Sequence, residues 1–316
     1  MKWGILGSGV RAREIAKQIS SNGHQLITVA SRSEDQAHHM AQLYGSQSDT
    51  YDGILKRKDL DALYIANETQ NHFEVLVRAI SSNHKVFCTK PICCSQKEYE
   101  ELKGLGGFLV QDIWINWHPL IAKIGSTIKN SKLGNLQCLR ASYHTILQPG
   151  YKNWRLKPQA QYGGVFWDLM IYLVSLATRL NPKPAMEIDV DFENDENGCP
   201  VVVDLILKYK GGQSMYFTVS SLINNSQPLT VLCTRGSLVL EGSLMDPLAL
   251  MIQPSEGIPQ KIERDIESPA RFSYMSFLRL LSSESEYRAH SIETDCLMNT
   301  MFEIQNRMDY SAKKNS

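Results

Sequence analysis

Lys2-Trp3-Gly4-Ile5-Leu6-Gly7-Ser8-Gly9-Val10-Arg11-Ala12 is the stretch that decides the fold. Lys2 to Leu6 is a short, mainly apolar run, and it passes at once into G-x-G-x-x-A. The run reads as a strand and the residues after it as the start of a helix. In such a junction the first glycine, Gly7, permits the tight turn. The second, Gly9, lets a pyrophosphate approach the backbone, and the small Ala12 lets helix and strand pack closely. The helix start adds unpaired N–H groups and the positive end of its dipole. Gly7, Ser8, Gly9, Val10 and Arg11 are therefore expected to bind a dinucleotide.

Reading outward, the pattern repeats. Gln25 to Ala30, Leu60 to Ala66, Lys85 to Cys88 and Phe108 to Trp114 read as strands. Glu34 to Tyr44, His72 to Asn83 and Gln96 to Gly104 read as helices between them, with Ser33 as an N-cap. Strands alternating with helices predict right-handed βαβ units and a parallel sheet. After a helix near Pro119 to Asn130 the pattern changes. Leu136 to Leu147, Met186 to Glu193, Val201 to Tyr209 and Ser214 to Ser221 alternate like strands with one solvated face. Pro228 to Cys233 and Ser237 to Leu240 read as a hairpin around Arg235-Gly236, and helices are expected near 165–180, 271–283 and 291–308. The expectation is an α/β protein. A Rossmann domain spans 1–118, and an α+β domain with a largely antiparallel open-faced sheet spans 119–316.

Composition narrows the function. The 316 residues carry 33 Lys+Arg and 33 Asp+Glu, so no global basic field points to nucleic acid or an anionic membrane. No apolar stretch approaches the ~20 residues of a membrane span, and Met1-Lys2-Trp3-Gly4 lacks a signal-peptide core. Seven cysteines are scattered, with Cys93-Cys94 adjacent and no C-x-x-C, which fits reduced thiols and a cytoplasmic location. His38-His39 has no partner at ligand spacing, so no metal is expected.

The end of the second strand separates NAD from NADP. An acid there binds the ribose 2′-hydroxyl and repels a 2′-phosphate. The strand here ends Ala30-Ser31-Arg32-Ser33, with no acid before Glu34. Ser31, Arg32 and Ser33 offer donors, and Arg32 a planar cation, to a phosphate. NADP is the expected cofactor, with NAD allowed.

The residues resemble a known family, the Gfo/Idh/MocA oxidoreductases. The resemblance rests on Gly7-Ser8-Gly9, Ala30-Ser31-Arg32, Ile65-Ala66-Asn67-Glu68-Thr69-Gln70-Asn71-His72, Thr89-Lys90-Pro91 and Trp154-Arg155 with Gly163-Gly164-Val165-Phe166-Trp167-Asp168. It covers nearly the whole chain. It implies a Rossmann domain followed by an open-faced sheet domain that dimerises, giving a homodimer or dimer of dimers. The family's Glu-Lys-Pro matches Thr89-Lys90-Pro91, keeping the lysine and not the glutamate. Its Gly-Gly-Gly-x-Leu-x-Asp-x-Gly-x-His matches Gly163 to Tyr172, keeping Asp168 and placing Met170 and Tyr172 where glycine and histidine stand. The glucose–fructose oxidoreductase and dihydrodiol dehydrogenase branches use tyrosine there. The resemblance adds Asn67, His72 and Lys90 to the cofactor side.

The chemistry also stands on the residues themselves. Asp168 and Tyr172 are four apart on an expected helix and share a face, which is expected to meet Lys90 at the carboxyl edge of the parallel sheet. Hydride arriving at a carbonyl carbon leaves charge on oxygen. A phenol can donate the proton, and an ammonium nearby stabilises the phenolate. Lys90, Tyr172 and Asp168 are the expected catalytic residues. Trp117, His118, Trp154 and Arg155 are expected to contact a small-molecule substrate, a polyhydroxylated or cyclic alcohol or carbonyl compound. Two alternatives remain at this level. One is a cofactor-binding regulatory or scaffold protein without turnover, suggested by Thr89, Met170 and Tyr172. The other is a reductase of imines or linear tetrapyrroles, both represented in the family.

Overall fold

The computed structural model describes residues 1–130, 133–146, 163–265 and 269–315. The chain divides into two compact units, Met1–Trp114 with Glu267–Ser291, and Ile115–Ile266 with Ile292–Ser316.

The first unit begins β1 (Lys2–Leu6), α1 (Val10–Ser21), β2 (Gln25–Ala30), α2 (Glu34–Leu43), β3 (Gln47–Ser48) and α3 (Tyr51–Lys56). It continues β4 (Ala62–Ile65), α4 (His72–Ser81), β5 (Lys85–Thr89), α5 (Gln96–Leu105) and β6 (Leu109–Asp112). The strands form one parallel sheet in the order β3-β2-β1-β4-β5-β6. That is the doubly wound order, whose strand sequence reverses between β1 and β4 and opens a crevice at their carboxyl ends. Every residue of β4 is buried, as a central strand covered on both faces requires. α1 buries Ala12, Ile15, Ala16 and Ile19 at helical spacing.

The second unit holds α6 (Pro119–Lys129), β7 (Leu136–His144), α7 (Ile171–Leu180), β8 (Glu187–Asn194), β9 (Pro200–Lys208) and β10 (Ser214–Ser220). β11 (Leu229–Cys233), β12 (Gly236–Ser243), β13 (Asp246–Pro254) and β14 (Gln260–Glu263) complete its sheet. The order is β14-β13-β12-β11-β7-β10-β9-β8, antiparallel except for the β7–β10 pair. Asp195 shapes the β8–β9 turn, its Oδ1 accepting from the Asn197 and Cys199 amides at 3.0 and 2.8 Å. One row crosses the sheet in register through Asp189, Ile206, Tyr216, Arg140, Thr230, Val239, Met251 and Lys261. None of these eight side chains is buried, so this is the sheet's open face. The alternate residues Leu139, Leu205, Phe217, Val231 and Leu238 are buried.

The uninterrupted second domain expected over 119–316 is corrected. α8 (Pro269–Ser282) and the start of α9 (Glu284–Asn315), to Ser291, group with the first unit. The cause is aromatic. Phe277 of α8 stacks on Phe87 of β5 at 4.7 Å and meets Trp3 of β1 at 5.2 Å, while Tyr274 hydrogen-bonds His24. Tyr287 of α9 stacks on Phe108 at 4.1 Å. No helix is long and apolar enough to cross a membrane among the described residues.

Candidate functional site

The glycine turn sits where the sequence places it, and its two glycines answer to different demands. Gly7 has φ +126°, and a Cβ there would lie 2.3 Å from the carbonyl oxygen of Ala66 at the end of β4. It is glycine because two strand ends approach. Gly9, the N-cap of α1, has φ −68° and ψ −178°, which any residue adopts. A Cβ there would meet nothing within 4 Å. The protein itself gives no reason for glycine at this position, whereas a phosphate seated at the head of α1 does. The open cradle fits a dinucleotide, and Gly7, Ser8, Gly9 and Val10 would hold its pyrophosphate.

Arg11 departs from expectation. Its guanidinium reaches Glu14 at 2.7 Å, Asp112 at 2.7 Å and Ser273 at 3.3 Å. Asp112 is 2% exposed, and its Oδ2 also accepts from the Tyr64 hydroxyl at 3.0 Å. An arginine next to a glycine motif invites a phosphate reading. A buried carboxylate without a cation would cost several kcal/mol, so this side chain serves Asp112. Only the Arg11 backbone amide is left to the cofactor reading.

At the end of β2 the three expected donors all have protein partners. The Ser8 hydroxyl donates to Gln36 Oε1 at 2.8 Å, which leaves Ser31 Oγ to donate to Ser8 Oγ, also at 2.8 Å. Ser33 Oγ accepts from the Gln36 amide and caps α2. Arg32 pairs with Glu68 at 2.6 Å, with the arginine side chain 65% exposed and the glutamate 30%. Sequence reading passed over Glu68 and Gln36, since neither belongs to the fingerprint.

Lys90 follows β5 at the carboxyl edge and is half-buried. His72 is 1% exposed. Its Nδ1 donates to the carbonyl of Pro91 at 2.7 Å, and its Nε2 lies 3.3 Å from Thr89 Oγ1 and 3.1 Å from the carbonyl of Asn67. Burial pushes its pKa down, and the Lys90 charge adds to that. The lowered pKa favours a neutral ring, held between the carbonyls of Pro91 and Asn67. His72, expected on the cofactor, ties the loop after β4 to the loop carrying Lys90. Asn67 keeps a buried side-chain oxygen, Oδ1, with no hydrogen-bond partner in the protein. It fits an acceptor for a cofactor group.

Asp168 and Tyr172 belong to the second unit. Phe166–Met170 is a π-helical stretch that leads directly into α7. Such wide turns are frequent at functional sites. Asp168 is 7% exposed and Tyr172 8%, one turn apart. Met170, where the family pattern has glycine, is fully buried with Phe166 and Trp167. Gly164 is required by packing: a Cβ would lie 2.7 Å from the Pro200 ring at its φ of +84°. The Ser175 hydroxyl donates to the Tyr172 carbonyl at 2.6 Å, with Asn116 Oδ1 3.2 Å from the same oxygen, bracing the first turn of α7. Trp117 and His118 are both buried. His118 Nδ1 accepts from the Leu120 amide at 3.2 Å and caps α6, and burial lowers its pKa. The Arg179 guanidinium lies 5.9 Å from the Trp117 ring centre. Both residues thus shape the α6–α7 corner. Trp154 and Arg155 lie outside the described residues.

Comparison with known proteins agrees with this geometry. Residues 1–105 match the oxidoreductase family with an NAD-binding Rossmann fold, and residues 121–239 match the GFO/IDH/MocA C-terminal domain. The trans-1,2-dihydrobenzene-1,2-diol dehydrogenase of Bos taurus is 25% identical over 268 residues, covering 80% of this chain and 78% of that protein. The structure of KijD10, a 3-ketoreductase from Actinomadura kijaniata in complex with NADP and TDP-benzene, superposes with a TM-score of 0.81 at 19% identity. It covers 95% of this chain and 96% of its own. UDP-N-acetylglucosamine 3-dehydrogenase GnnA from Acidithiobacillus ferrooxidans gives 0.80 at 16% identity, covering 96% of each chain. The doubly wound sheet, the glycine cradle and these matches along most of its length establish that the chain belongs to the Gfo/Idh/MocA family of NAD(P)-dependent oxidoreductases.

Proposed function

We propose that the chain is an NADP-preferring dehydrogenase or reductase that interconverts a ring carbinol and its ketone, the substrate being a cyclic diol, a polyol or a sugar. The single observation that carries the cofactor half is the open cradle at Gly9, whose glycine the fold does not need. The substrate half is supported by the diol dehydrogenases that match four-fifths of the chain. The absence of an acid on Ser31-Arg32-Ser33 supports NADP over NAD. Bound in the cradle, the cofactor supplies or accepts a hydride at its nicotinamide.

The chain's own work is with the proton. Tyr172 gives a proton to the substrate oxygen in reduction and takes it in oxidation. Lys90 stabilises the negative charge on oxygen, and Asp168 orients the pair. His72, whose pKa is lowered chiefly by burial, bonds the Pro91 carbonyl and so keeps the lysine's loop in place. The open face of the second unit's sheet, with Ile206, Tyr216, Val239 and Met251 between charged edges, is the proposed surface for self-association.

Steady-state kinetics of Tyr172→Phe and Lys90→Met test the proton-transfer assignment. Each is expected to lower kcat by about 10²–10⁴, the usual worth of a positioned acid. NADPH affinity should be little changed, because neither side chain is expected to hold the phosphates that carry most of the binding, and the double variant should be scarcely worse than either single one. Full activity in Tyr172→Phe would remove the phenol from the mechanism.

A further inference from the structure

We propose that Glu68 sets the balance between NADP and NAD by holding Arg32. The inference rests on the reading that Arg32 receives the 2′-phosphate. The end of β2 has no acid, yet the loop after β4 brings one to the same place. Glu68 Oε1 accepts from Arg32 Nη2 at 2.6 Å, and its other oxygen accepts from Gln70 Nε2 at 3.1 Å. The carboxylate is thus engaged on both sides. Its charge is felt beyond the pair: the half-buried Tyr51 phenol has its pKa raised by burial, lowered by Arg32 and raised by Glu68.

The consequence follows from charge. A 2′-phosphate carries up to two negative charges and needs the same guanidinium that Glu68 holds. It must displace the carboxylate or share the cation with it, and either way it meets a second anion. A cofactor without that phosphate leaves the Arg32–Glu68 pair closed. Glu68 therefore weakens NADP(H) selectively and leaves NAD(H) usable, although Arg32 favours the phosphate. The pair is exposed enough that the effect is moderate.

Fluorescence titration of the full-length protein with NADPH and with NADH reads this directly. Glu68→Gln keeps the length of the side chain and removes its charge. It is expected to tighten NADPH about threefold to tenfold at low salt and to leave NADH within about twofold. The gain should shrink as salt is raised, which a merely structural role would not produce. In an Arg32→Ala background the same substitution should change NADPH binding by less than about twofold, because the contested cation is gone. If Arg32→Ala weakens NADPH while Glu68→Gln leaves the NADPH-to-NADH ratio unchanged or lowers it, the inference fails and the NADP reading stands. If Arg32→Ala leaves NADPH binding unchanged, the reading beneath it fails.

Discussion

Gly7 and Gly9 stand two residues apart in one motif and answer to different parts of chemistry. A side chain at Gly7 collides with backbone at 2.3 Å and strains a φ of +126°, so Gly7→Ala is expected to destabilise the first unit by about 1–3 kcal/mol. A side chain at Gly9 enters open space, so Gly9→Val should melt within a few degrees of the parent and lose NADPH binding. Circular dichroism melts paired with cofactor titration separate the two. Normal NADPH binding by a folded Gly9→Val protein would refute the cradle. At this scale the sequence was legible where chemistry is local. The glycine spacing needs only neighbours, and so does the cap at Ser33. It was not legible where a partner is remote. Arg11 meets an acid from β6, and only the fold shows that Asp112 is buried beside it. His72 carries nothing in its surroundings along the chain that separates a buried brace from a cofactor ligand.

α8 shows the same limit for an element. Its residues 271–283 were readable as a helix, since Tyr274, Phe277 and Leu280 recur at helical spacing on the buried side. An amphipathic pattern says that one face needs covering and is silent on what covers it. The cover is Trp3 and Phe87 of the Rossmann sheet. Residues 1–118 alone would expose this aromatic cluster, so a chain truncated there is expected to be poorly soluble or molten. Phe277→Ala in the full chain should cost about 3–5 kcal/mol, as for other buried aromatics cut to alanine. Denaturant unfolding of the variant measures it, and a loss below about 1 kcal/mol would show that α8 contributes little to the first unit's core. β3 and α3 were missed for another reason. A two-residue edge strand and a helix of six residues are too short for periodicity to show. β13 was hidden by Pro247 and Pro254, which punctuate its ends like turns.

At the scale of the whole molecule, five histidines among the described residues have pKa values lowered chiefly by burial: His24, His72, His84, His118 and His144. In the unfolded chain each titrates near 6.5. Below that pH the unfolded state binds protons that the folded state refuses, so stability falls as pH falls and levels off only past the folded values. Each unmatched proton is worth about 1.4 kcal/mol per pH unit. Thermal melts should therefore be flat above about pH 7 and decline steadily from about pH 6.5 to 5. A flat profile across that range would mean that these rings accept protons where they lie. The fold class and the parallel pairing of the first sheet were readable because strands and helices alternate along the first third of the chain. The division into units was not, since α8 and the start of α9 return to the first core from the far end of the sequence.

Hydride transfer is the central claim, and an isotope reads it without reference to any variant. NADPH carrying deuterium at nicotinamide C4, on the transferred face, is incubated with the protein and a panel of ring ketones derived from cyclic diols, inositols and sugars. Mass spectrometry of the products is expected to find deuterium on the new carbinol carbon of at least one ring substrate, with NADP formed in equal amount. Tight NADPH binding with no label in any ring ketone, in imines or in linear tetrapyrroles would contradict the account and leave a cofactor-binding protein without turnover.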